Sequence, residues 1–231
     1  MKTLAIIIPV LNEAATIEET LRRLAPLRRR GASVICVDGG SSDDTAARAA
    51  PLADRVLAAP RGRATQMNAG ARSAEAAGAD VLLFLHADTM LPDDADRTLR
   101  RALEGPERCW GRFDVRLDAP GMSLRIIETL MNWRSRLTGI ATGDQAIFVT
   151  RVAFAGLGGF APLPLMEDID FCRRAKRLSM PLALRDRVLT SARRWQRHGV
   201  WRTVALMWWL RLAYFCGADP GALARRYRDA R

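Results

Sequence analysis

Short apolar runs alternate with amphipathic stretches along the first part of the chain. Residues 4–11 and 34–37 are nearly uninterrupted apolar runs, and polar residues follow each of them. Such runs are typical of buried strands. Between them, Ile17, Leu21 and Leu24 recur at the spacing of one helix face. This order of strand, helix and strand predicts a parallel sheet.

Two more apolar segments extend the predicted sheet. Residues 56–57 are interpreted as a short third strand and residues 81–85 as a fourth. Pro9 fits only near the end of the first strand. Thr16 and Glu19 have the spacing of a capping box for the helix that follows. The pattern therefore predicts an α/β fold with a mostly parallel central sheet flanked by helices.

Polar residues stand at the ends of three predicted strands. Because the carboxyl ends of parallel strands share one edge of the sheet, we expect these residues on one rim. A carboxylate there suits Mg²⁺ or Mn²⁺, hard cations that bridge to substrate phosphates, although an aspartate at such a turn also caps helices. The residues are Asn12 and Glu13, Asp38 and Gly39, and His86, Ala87 and Asp88.

Two common nucleotide-binding motifs are missing from the sequence. No G-x-G-x-x-G follows the first strand, which disfavours an NAD-binding Rossmann enzyme. No G-x-x-x-x-G-K-[ST] occurs, which disfavours a P-loop NTPase. Asp38 nevertheless offers acceptors for a nucleobase N–H, and the glycines beside it allow a flat ring to approach the backbone.

An ordered set of segments resembles the motifs of glycosyltransferase family 2. The resemblance extends from about residue 4 to about residue 195. It implies the GT-A fold, here as one domain over residues 1–231 with an apolar and basic helical segment at about 199–231. The chain is most similar to a compact bacterial subgroup linked with arsenosugar biosynthesis, which has a similar His-Ala-Asp-Thr stretch. The segments are 8–13, 37–45, 61–63 with Asn68 and Gly70, 86–88, and 167–168.

The resemblance implies a binding site for a nucleoside-diphosphate sugar, with UDP slightly preferred as the nucleotide. Pro9, Leu11 and Glu13 would line the pocket for the base and the ribose. Many family members have an aromatic residue where Leu11 stands, so apolar contact would replace stacking. Asp38 and Gly39 would meet the edge of the base.

The helix after the third strand would supply further donor contacts. Arg63 would face the diphosphate, a role that suits the forked guanidinium; the alternative is a solvated surface arginine. Asn68 and Gly70 would come close to the nucleotide near the start of this helix. Simple helix packing is the alternative for both residues.

The fourth strand ends in a variant of the family's metal motif. Where the family has Asp-x-Asp, this chain has His86, Ala87 and Asp88. The resemblance implies that Asp88 is the ligand of Mg²⁺ or Mn²⁺. We expect His86 to line the site, where it contacts ribose, joins the metal or packs.

A second group of candidates belongs to the acceptor side. Glu167 and Asp168 follow a loop rich in glycine and proline and precede a helical stretch. Carboxylates favour the first turn of a helix through its dipole, which is the alternative explanation for both. The resemblance implies that Asp168 is the general base of an inverting transfer and that Glu167 orients the acceptor or supports Asp168. Gly143, Asp144 and Gln145 are acceptor-pocket candidates, or simply a turn before a strand.

Three other positions bear on the activity. A partial Arg-Trp motif at Arg194 and Trp195 lacks the glutamine of processive family members, with Ser191 in its place, so processive polymer synthesis is disfavoured. Both residues are candidates for a loop that closes over the donor. Asp114 and Asp118 fit a half-exposed strand, and we assign them no function.

Composition agrees with one enzyme-sized domain. A chain of 231 residues with 49% hydrophobic residues can bury a full core. Its four cysteines lack C-x-x-C spacing, which predicts free thiols in a reducing compartment. The first residues lead directly into a strand and do not resemble a signal peptide, so we expect a cytoplasmic location. The cysteines are Cys36, Cys109, Cys172 and Cys216.

The net charge of +11 and the apolar segment 199–217 raise the question of partners. Aromatic residues make up only 6% of the chain, which disfavours nucleic acid. Several tryptophans and two arginines lie in residues 199–217, but the uninterrupted apolar part is too short to span a bilayer. Contact with an anionic membrane surface, packing on the domain and a homodimer contact through this helix stay open.

Two functions remain open at the level of sequence. The first is a metal-assisted glycosyltransferase that takes a sugar from a nucleotide to an acceptor hydroxyl of unknown identity. The second is a nucleotide-binding or membrane-surface protein that keeps the fold without catalysis. Retention of Asp38, Asp88 and Asp168 favours the enzyme, because a binding module needs no base on the acceptor side.

Overall fold

Eight strands form one sheet within residues 2–73, 78–105 and 108–229, the parts of the chain that the computed structural model describes. The strands are β1 (Leu4–Val10), β2 (Ser33–Asp38), β3 (Arg55–Ala58), β4 (Val81–Phe84), β5 (Thr89–Met90), β6 (Trp110–Asp118), β7 (Phe148–Thr150) and β8 (Leu182–Ser191). The order across the sheet is β3-β2-β1-β4-β7-β6-β8-β5.

Helices cover both faces of this sheet. They are α1 (Ile17–Arg29), α2 (Thr45–Ala49), α3 (Arg63–Arg72), α4 (Ala95–Ala102), α5 (Met122–Thr138), α6 (Arg151–Gly156), α7 (Glu167–Ala175), α8 (Arg193–His198), α9 (Val200–Phe215) and α10 (Pro220–Asp229). A 3₁₀ turn spans Gly143–Gln145.

Strand direction confirms the predicted fold class. β1 pairs in parallel with β2 and β4, and β2 pairs in parallel with β3, so the four predicted strands form one parallel block. β7 runs antiparallel to both β4 and β6, and β6 and β8 are parallel again. Val10 lies opposite Asp38. The ends of β1 and β2 therefore meet at one rim, as the sequence predicted.

The two faces of the sheet are packed by different helices. Ile6 and Ile8 of β1 point into an apolar cluster that includes Leu21 and Leu24 of α1. Ile7 points to the other face, into a cluster that also holds residues of α3 and α7. A strand buried on both faces must be apolar throughout. This is why β1 appears in the sequence as an uninterrupted run.

The start of α1 differs from the prediction. Thr16 occupies the N-cap position, but its side chain makes no capping hydrogen bond. The hydroxyl instead donates to Glu13 Oε2 at 2.9 Å, and Glu19 pairs with Arg23 at 3.4 Å. The predicted capping box is therefore wrong, because the side chain of Thr16 bonds to Glu13 and the side chain of Glu19 pairs with Arg23.

Asp114 is also less exposed than predicted. The first six residues of β6 are buried, and the expected alternation is seen only towards its end. Asp114 pairs with Arg112 and with Arg136 at 2.6 Å, while Arg112 also donates to the carbonyl of Asn132 at 3.1 Å. A buried carboxylate needs such partners, so the residue holds α5 to the sheet.

The four cysteines have unequal surroundings. All are free thiols, and burial raises the pKa of Cys36 and of Cys172 to about 12. Cys216 is exposed and Cys109 is partly exposed. Because the thiolate is the reactive form, we expect Ellman's reagent to modify Cys216 first and Cys36 and Cys172 only after unfolding. Time-resolved labelling with and without denaturant, with Cys216→Ser as the control, tests this; rapid labelling of all four native thiols would contradict it.

Candidate active site

Hydrogen bonds join the loops that follow β1 and β2. The N–H of Asn12 donates to Ser41 Oγ at 2.9 Å, and the N–H of Ser42 donates to Asn12 Oδ1 at 2.8 Å. Asn12 has a positive φ of 55°, which asparagine tolerates better than most residues. The N–H of Glu13 donates to Thr45 Oγ1 at 2.8 Å. The two loops therefore form one wall of the rim.

Asp38 lies in this wall with a partly exposed carboxylate. It accepts hydrogen bonds from the backbone N–H groups of Gly40 and Ser41 at 3.1 and 3.0 Å. Pro9 and Leu11 are partly exposed beside it, in keeping with their predicted place on the rim. The polar and apolar faces that a nucleoside needs are thus adjacent.

Gly39 has a different neighbour from the one predicted. A Cβ at Gly39 would lie 2.9 Å from Gln66 Oε1, so the amide of Gln66 covers the side of the glycine that was predicted to face a base. Gln66 Nε2 donates to the carbonyls of Val10 and Val37, both at 2.8 Å. Gln66 thus joins the ends of β1 and β2. No local pattern in the sequence distinguishes this buried glutamine from a surface one.

For Asn68 and Gly70 the structure favours packing over donor contact. The Asn68 amide makes two hydrogen bonds with the backbone of Phe160, at 2.8 and 2.9 Å. A Cβ at Gly70 would lie 2.5 Å from Ile7 Cγ2 and 3.0 Å from Val37 Cγ2. The two residues therefore hold α3 to the following loop and to the sheet.

Arg63 begins α3 and reaches towards the acceptor-side carboxylates. Its Nη1 lies 3.4 Å from Glu167 Oε1. Although burial works in the opposite direction, Glu167, Asp144 and Asp168 raise the pKa of Arg63 through their charges. The structure thus connects the predicted diphosphate arginine with residues predicted for the acceptor.

The three candidate donor-site residues after β4 have different surroundings. Ala87 is buried in the core, and its carbonyl accepts the hydroxyl of Thr20 at 2.6 Å, so its side chain is not available to the donor as predicted. Asp88 is partly exposed on the rim. Its Oδ2 lies 3.5 Å from Arg193 Nη2, and the same guanidinium lies 3.6 Å from Glu13 Oε2. The sequence did not indicate this bridging role for Arg193.

His86 faces the acceptor-side turn. Its Nδ1 lies 3.1 Å from Asp144 Oδ1, and its buried Nε2 has no hydrogen-bond partner among the described residues. A Cβ at Gly143 would come within 2.3 Å of Nε2, so only glycine allows the imidazole this close to the turn. The prediction that His86 lines the site therefore agrees with its position between β4 and residues 143–145.

Asp168 lies in the first turn of α7 and is held by backbone donors. Its Oδ2 accepts the N–H of Gly143 at 3.0 Å, and its Oδ1 accepts the N–H of Ile169 at 2.7 Å. Glu167 beside it is almost fully buried. The predicted base, the 143–145 turn and His86 are thus brought together from three separate parts of the chain.

Gln145 is not an acceptor contact. Its side chain is fully buried and completes a capping box around the 3₁₀ turn with Thr142. Its Nε2 also lies 3.4 Å from Asn132 Oδ1. The structure therefore corrects the prediction for Gln145, whereas Asp144 stays accessible, with 42% of its side chain exposed.

Arg194 and Trp195 were both candidates for a loop that closes over the donor, and the structure describes the side chain of only one of them. Arg194 was predicted to close over the donor, but its side chain lies outside the part of the chain that the structure describes. Trp195 is partly buried and packs against the cluster formed by Leu117, Leu124 and Ile127. In this structure Trp195 thus attaches α8 to α5.

Sequence reasoning missed two arginines near Asp168. Arg134 lies on α5 and Arg211 on α9. Both are influenced electrostatically by Asp168. Arg134 belongs to an amphipathic helix rich in basic residues, and Arg211 to the segment interpreted as a membrane or packing helix. Neither setting suggested a position beside the predicted base.

Asp88 is the rim carboxylate that corresponds to the predicted metal ligand. Within the described residues, no three His, Cys, Asp or Glu side chains form a metal-binding group. Mg²⁺ commonly binds through one or two carboxylates together with substrate phosphates. Partly exposed Asp88 fits that donor set, since the diphosphate would supply the other oxygens.

A cleft lies between α5 and the strands β6 and β8. Its volume is about 360 Å³. The acidic residues in it already have partners, because Asp114 pairs with two arginines and Glu128 pairs with Arg125 at 3.0 Å. The cleft is lined by Asp114, Arg125, Glu128, Thr129, Asn132, Trp133, Arg136 and Arg187.

Glu167 should make stability depend on pH. Burial raises its pKa, Arg63 opposes that effect, and Asp168 adds to it. A carboxyl group whose pKa is higher in the folded state binds its proton more tightly there, so stability falls as pH rises above the ordinary glutamate value of about 4.3. We expect Glu167→Gln to raise the melting temperature relative to wild type, with a difference that grows from acidic to neutral pH.

Melting curves between about pH 4 and pH 8 measure this difference directly. Glu19→Gln is the matched control, since that carboxylate is exposed, and we expect no comparable trend from it. If Glu167→Gln were less stable than wild type at neutral pH, the ion pair with Arg63 would outweigh the cost of burial.

The sheet order, with the strand ends of β1, β2 and β4 at one rim, defines the class of fold, the GT-A fold, which the solved structures described next share. A profile described as Glycosyl transferase family 2 matches residues 5–155, more than half of the chain. The chain therefore belongs to glycosyl transferase family 2, as its motifs predicted. Among curated proteins, none matches the sequence significantly.

Three solved structures illustrate the likeness. TarS 1–349 from S. aureus has 16% identity and a TM-score of 0.65 over 83% of this chain and 61% of its own. The mannosyltransferase PcManGT from Pyrobaculum calidifontis, solved with GDP-Man and Mn²⁺, has 22% identity and a TM-score of 0.60 over 80% of this chain and 56% of its own. Glucosyl-3-phosphoglycerate synthase from Mycobacterium tuberculosis, solved with Mn²⁺, UDP and glucosyl-3-phosphoglycerate, has 20% identity and a TM-score of 0.58 over 82% of this chain and 71% of its own.

The chain thus spans only part of the length of these proteins. At such identities the likeness establishes the fold. The substrates of the three proteins belong to them and not, on this ground, to the present chain.

Proposed function

We propose that the protein transfers a sugar from a nucleoside-diphosphate sugar to an acceptor hydroxyl, with inversion at the anomeric carbon. The observation that carries the proposal is the position of Asp168. Two backbone N–H groups hold its carboxylate at 3.0 and 2.7 Å, in a group of side chains that includes His86, Asp144 and Arg63. Family membership supports the reaction class.

On the donor side, the partly exposed residues after β1 and β2 would bind the nucleoside. Pro9, Leu11 and Glu13 would contact the base and the ribose, and Asp38 would accept an N–H from the base edge. A uracil or guanine offers such an N–H, and UDP is our first choice of nucleotide. The narrower link to the arsenosugar subgroup is also a proposal, which the identity of the acceptor would test.

Asp88 would hold Mg²⁺ or Mn²⁺ together with the diphosphate. When bound, the metal ion supplies positive charge for the leaving diphosphate. Two of the solved structures described above contain Mn²⁺ with a nucleotide or nucleotide sugar, which supports the choice of cation. Arg193, 3.5 Å from Asp88, would have to move aside.

On the acceptor side, Asp168 would take the proton from the acceptor hydroxyl as its oxygen bonds to the anomeric carbon. The bond from that carbon to the diphosphate oxygen breaks, and the nucleoside diphosphate leaves. Asp144 would orient the acceptor, buried Glu167 would support Asp168, and the backbone of Gly143 would keep the base in place. His86 would position Asp144 through the 3.1 Å contact.

A thermal-shift panel tests the proposal first. UDP-, GDP-, dTDP- and CDP-sugars are each added with and without Mn²⁺, because a ligand that binds only the folded state raises the melting temperature. We expect a Mn²⁺-dependent rise for one nucleotide class, most of all UDP. No rise with any donor in a folded sample would favour the alternative, a protein that keeps the fold without catalysis.

We further propose that α5 and α9 face the anionic inner surface of the cytoplasmic membrane. Large apolar side chains are exposed on both helices. No described helix has both the length and the apolar character needed to cross a bilayer. With a net charge of +11, a second copy would be repelled and an anionic surface attracted. The exposed residues are Met122, Ile126, Leu130, Trp133 and Leu137 on α5, and Trp201, Trp208, Trp209, Leu212 and Phe215 on α9.

Flotation with lipid vesicles tests this surface. We expect the protein to float with vesicles that contain phosphatidylglycerol but not with phosphatidylcholine alone, and Trp208→Ser to weaken the binding. Val152→Ser is the control, since Val152 is also an exposed apolar residue but lies on α6. Failure to float, together with a dimer in light scattering that Trp208→Ser disrupts, would show that a second copy covers this surface instead.

A further inference from the structure

Arg134 and Arg211 lie on two different helices, and the charge of Asp168, in the first turn of α7, acts on both. Arg134 Nη1 donates to the carbonyl of Ile140 at 3.3 Å, next to the loop that leads to the 143–145 turn. Leu210, beside Arg211, is fully buried in the cluster that contains Ile140 and Cys172. The helix α9 therefore packs on the same face of the sheet as α7, and the charge of Arg211 acts on Arg134.

Each guanidinium has a buried nitrogen without a partner. Arg134 Nη2 and Arg211 Nε are inaccessible to solvent and make no hydrogen bond within the described residues. Arginines in such surroundings are normally paired with an acid. In the part of the chain that the structure describes, no carboxylate forms an ion pair with either one.

The positive charges of the two arginines repel each other. Burial and, after it, the nearby charge of Arg211 lower the pKa of Arg134 to about 10, against the attraction of Asp168. Burial also lowers the pKa of Arg211, against the attraction of Asp168 and Asp144. Two buried cations side by side are stable only at a cost, which an anion between them would remove.

We propose that Arg134 and Arg211 bind a phosphate group of the acceptor and so place its hydroxyl at Asp168. This inference rests on the proposed glycosyl transfer. A phosphate monoester has nearly two negative charges at neutral pH and suits two guanidinium groups. The donor diphosphate is a weaker candidate, because its place is the rim at Asp88 and Arg193.

The phosphate has two sources in principle, a soluble metabolite or a lipid head group. The helix that carries Arg211 exposes Trp208 and Leu212 on its outer side, at 63% and 64%. Arg211 is thus on a helix whose outer side meets solvent or, under the proposed membrane contact, lipid, so both sources have to be tested. The experiment below separates them.

Binding of inorganic phosphate to the full chain, measured by calorimetry in the presence of UDP and Mn²⁺ and again without them, tests the site. We expect saturable binding in both conditions. Arg134→Gln and Arg211→Gln should each weaken it by at least about tenfold, the loss typical of a charge-assisted hydrogen bond. Arg202→Gln, an exposed arginine of the same helix, should bind as wild type does.

Melting curves of the variants show whether they fold. Each substitution removes one of two buried positive charges that repel each other, so we expect no loss of stability. Two variants on separate helices keep the test valid if one of them fails to fold. Phosphate binding that is absent in wild type, or unchanged in both folded variants, would overturn the inference even if a donor nucleotide binds. Phosphate binding without any donor binding would instead contradict the proposed transfer and leave an anion site of another purpose.

Competition identifies the source of the phosphate. Glycerol 3-phosphate that displaces inorganic phosphate would support a soluble acceptor. Displacement only by vesicles that contain phosphatidic acid, and not by phosphatidylcholine vesicles, would support a lipid acceptor. If neither displaces it, the site admits only the free ion, and the assignment to the acceptor is wrong.

Discussion

Asp168→Asn is expected to slow sugar transfer by roughly 10²- to 10⁴-fold, the usual contribution of a general base, while the nucleotide still binds. The amide keeps the shape of the side chain but does not take the proton of the acceptor hydroxyl. Asp168 Oδ2 and Oδ1 accept the N–H groups of Gly143 and Ile169. An amide can replace only one of these acceptors, so a small loss of stability should accompany the loss of activity.

The measurement pairs a turnover assay with a binding isotherm for the nucleotide that the thermal-shift panel identifies. Asp170→Asn is the matched control. It lies in the first turn of the same helix and pairs with Arg174 at 2.8 Å, and we expect it to keep most of the activity. Full activity in Asp168→Asn would remove the proposed base, and loss of nucleotide binding would show that the substitution acts through the fold.

Asp88→Ala is expected to weaken Mn²⁺-dependent binding of the donor by at least about tenfold, since even the outer partners of a metal site are worth that much. Donor binding without Mn²⁺ should change little. Asp88 is the one aspartate that this chain keeps from the family motif at the end of β4, and its side chain is 32% exposed at the rim. A diphosphate-bound cation would therefore reach it once Arg193 moves aside.

Titrations of donor with and without Mn²⁺ separate these effects. Asp93→Ala is the control, because Asp93 is an exposed carboxylate five residues further along the chain. Arg193→Gln removes the guanidinium next to Asp88 and should leave Mn²⁺ dependence intact. If wild type and Asp88→Ala bound the donor equally at all Mn²⁺ concentrations, arginines alone would neutralise the charge of the diphosphate.

The first half of the fold could be predicted because its strands have a strong local pattern. β1, β2 and β4 are buried on both faces, and the apolar run that burial demands is visible in the sequence. The polar residues after them meet at one rim because the strands are parallel. Asn12, Asp38 and Asp88 were placed correctly at strand ends for that reason.

Contacts between distant parts of the chain could not be predicted in the same way. Gln145 and Gln66 appear as ordinary polar residues, and only the packing around them shows that both are buried within hydrogen-bond networks. Arg193, Arg134 and Arg211 come from α8, α5 and α9. Nothing in their local sequence tells which of many arginines will face the site, since a helix rich in arginine presents several candidates on every side.

Arg193 bridges two carboxylates on which the donor and its metal ion are proposed to depend, Glu13 at 3.6 Å and Asp88 at 3.5 Å. A divalent ion would then arrive at carboxylates that the guanidinium of Arg193 already neutralises. Donor binding would therefore exchange the guanidinium for the metal ion. Arg193 begins α8, and α8 leads into α9, which carries Arg211. An exchange at the donor rim would therefore remove one of the contacts that hold the start of the helical segment on which Arg211 lies, while Trp195 keeps α8 on α5.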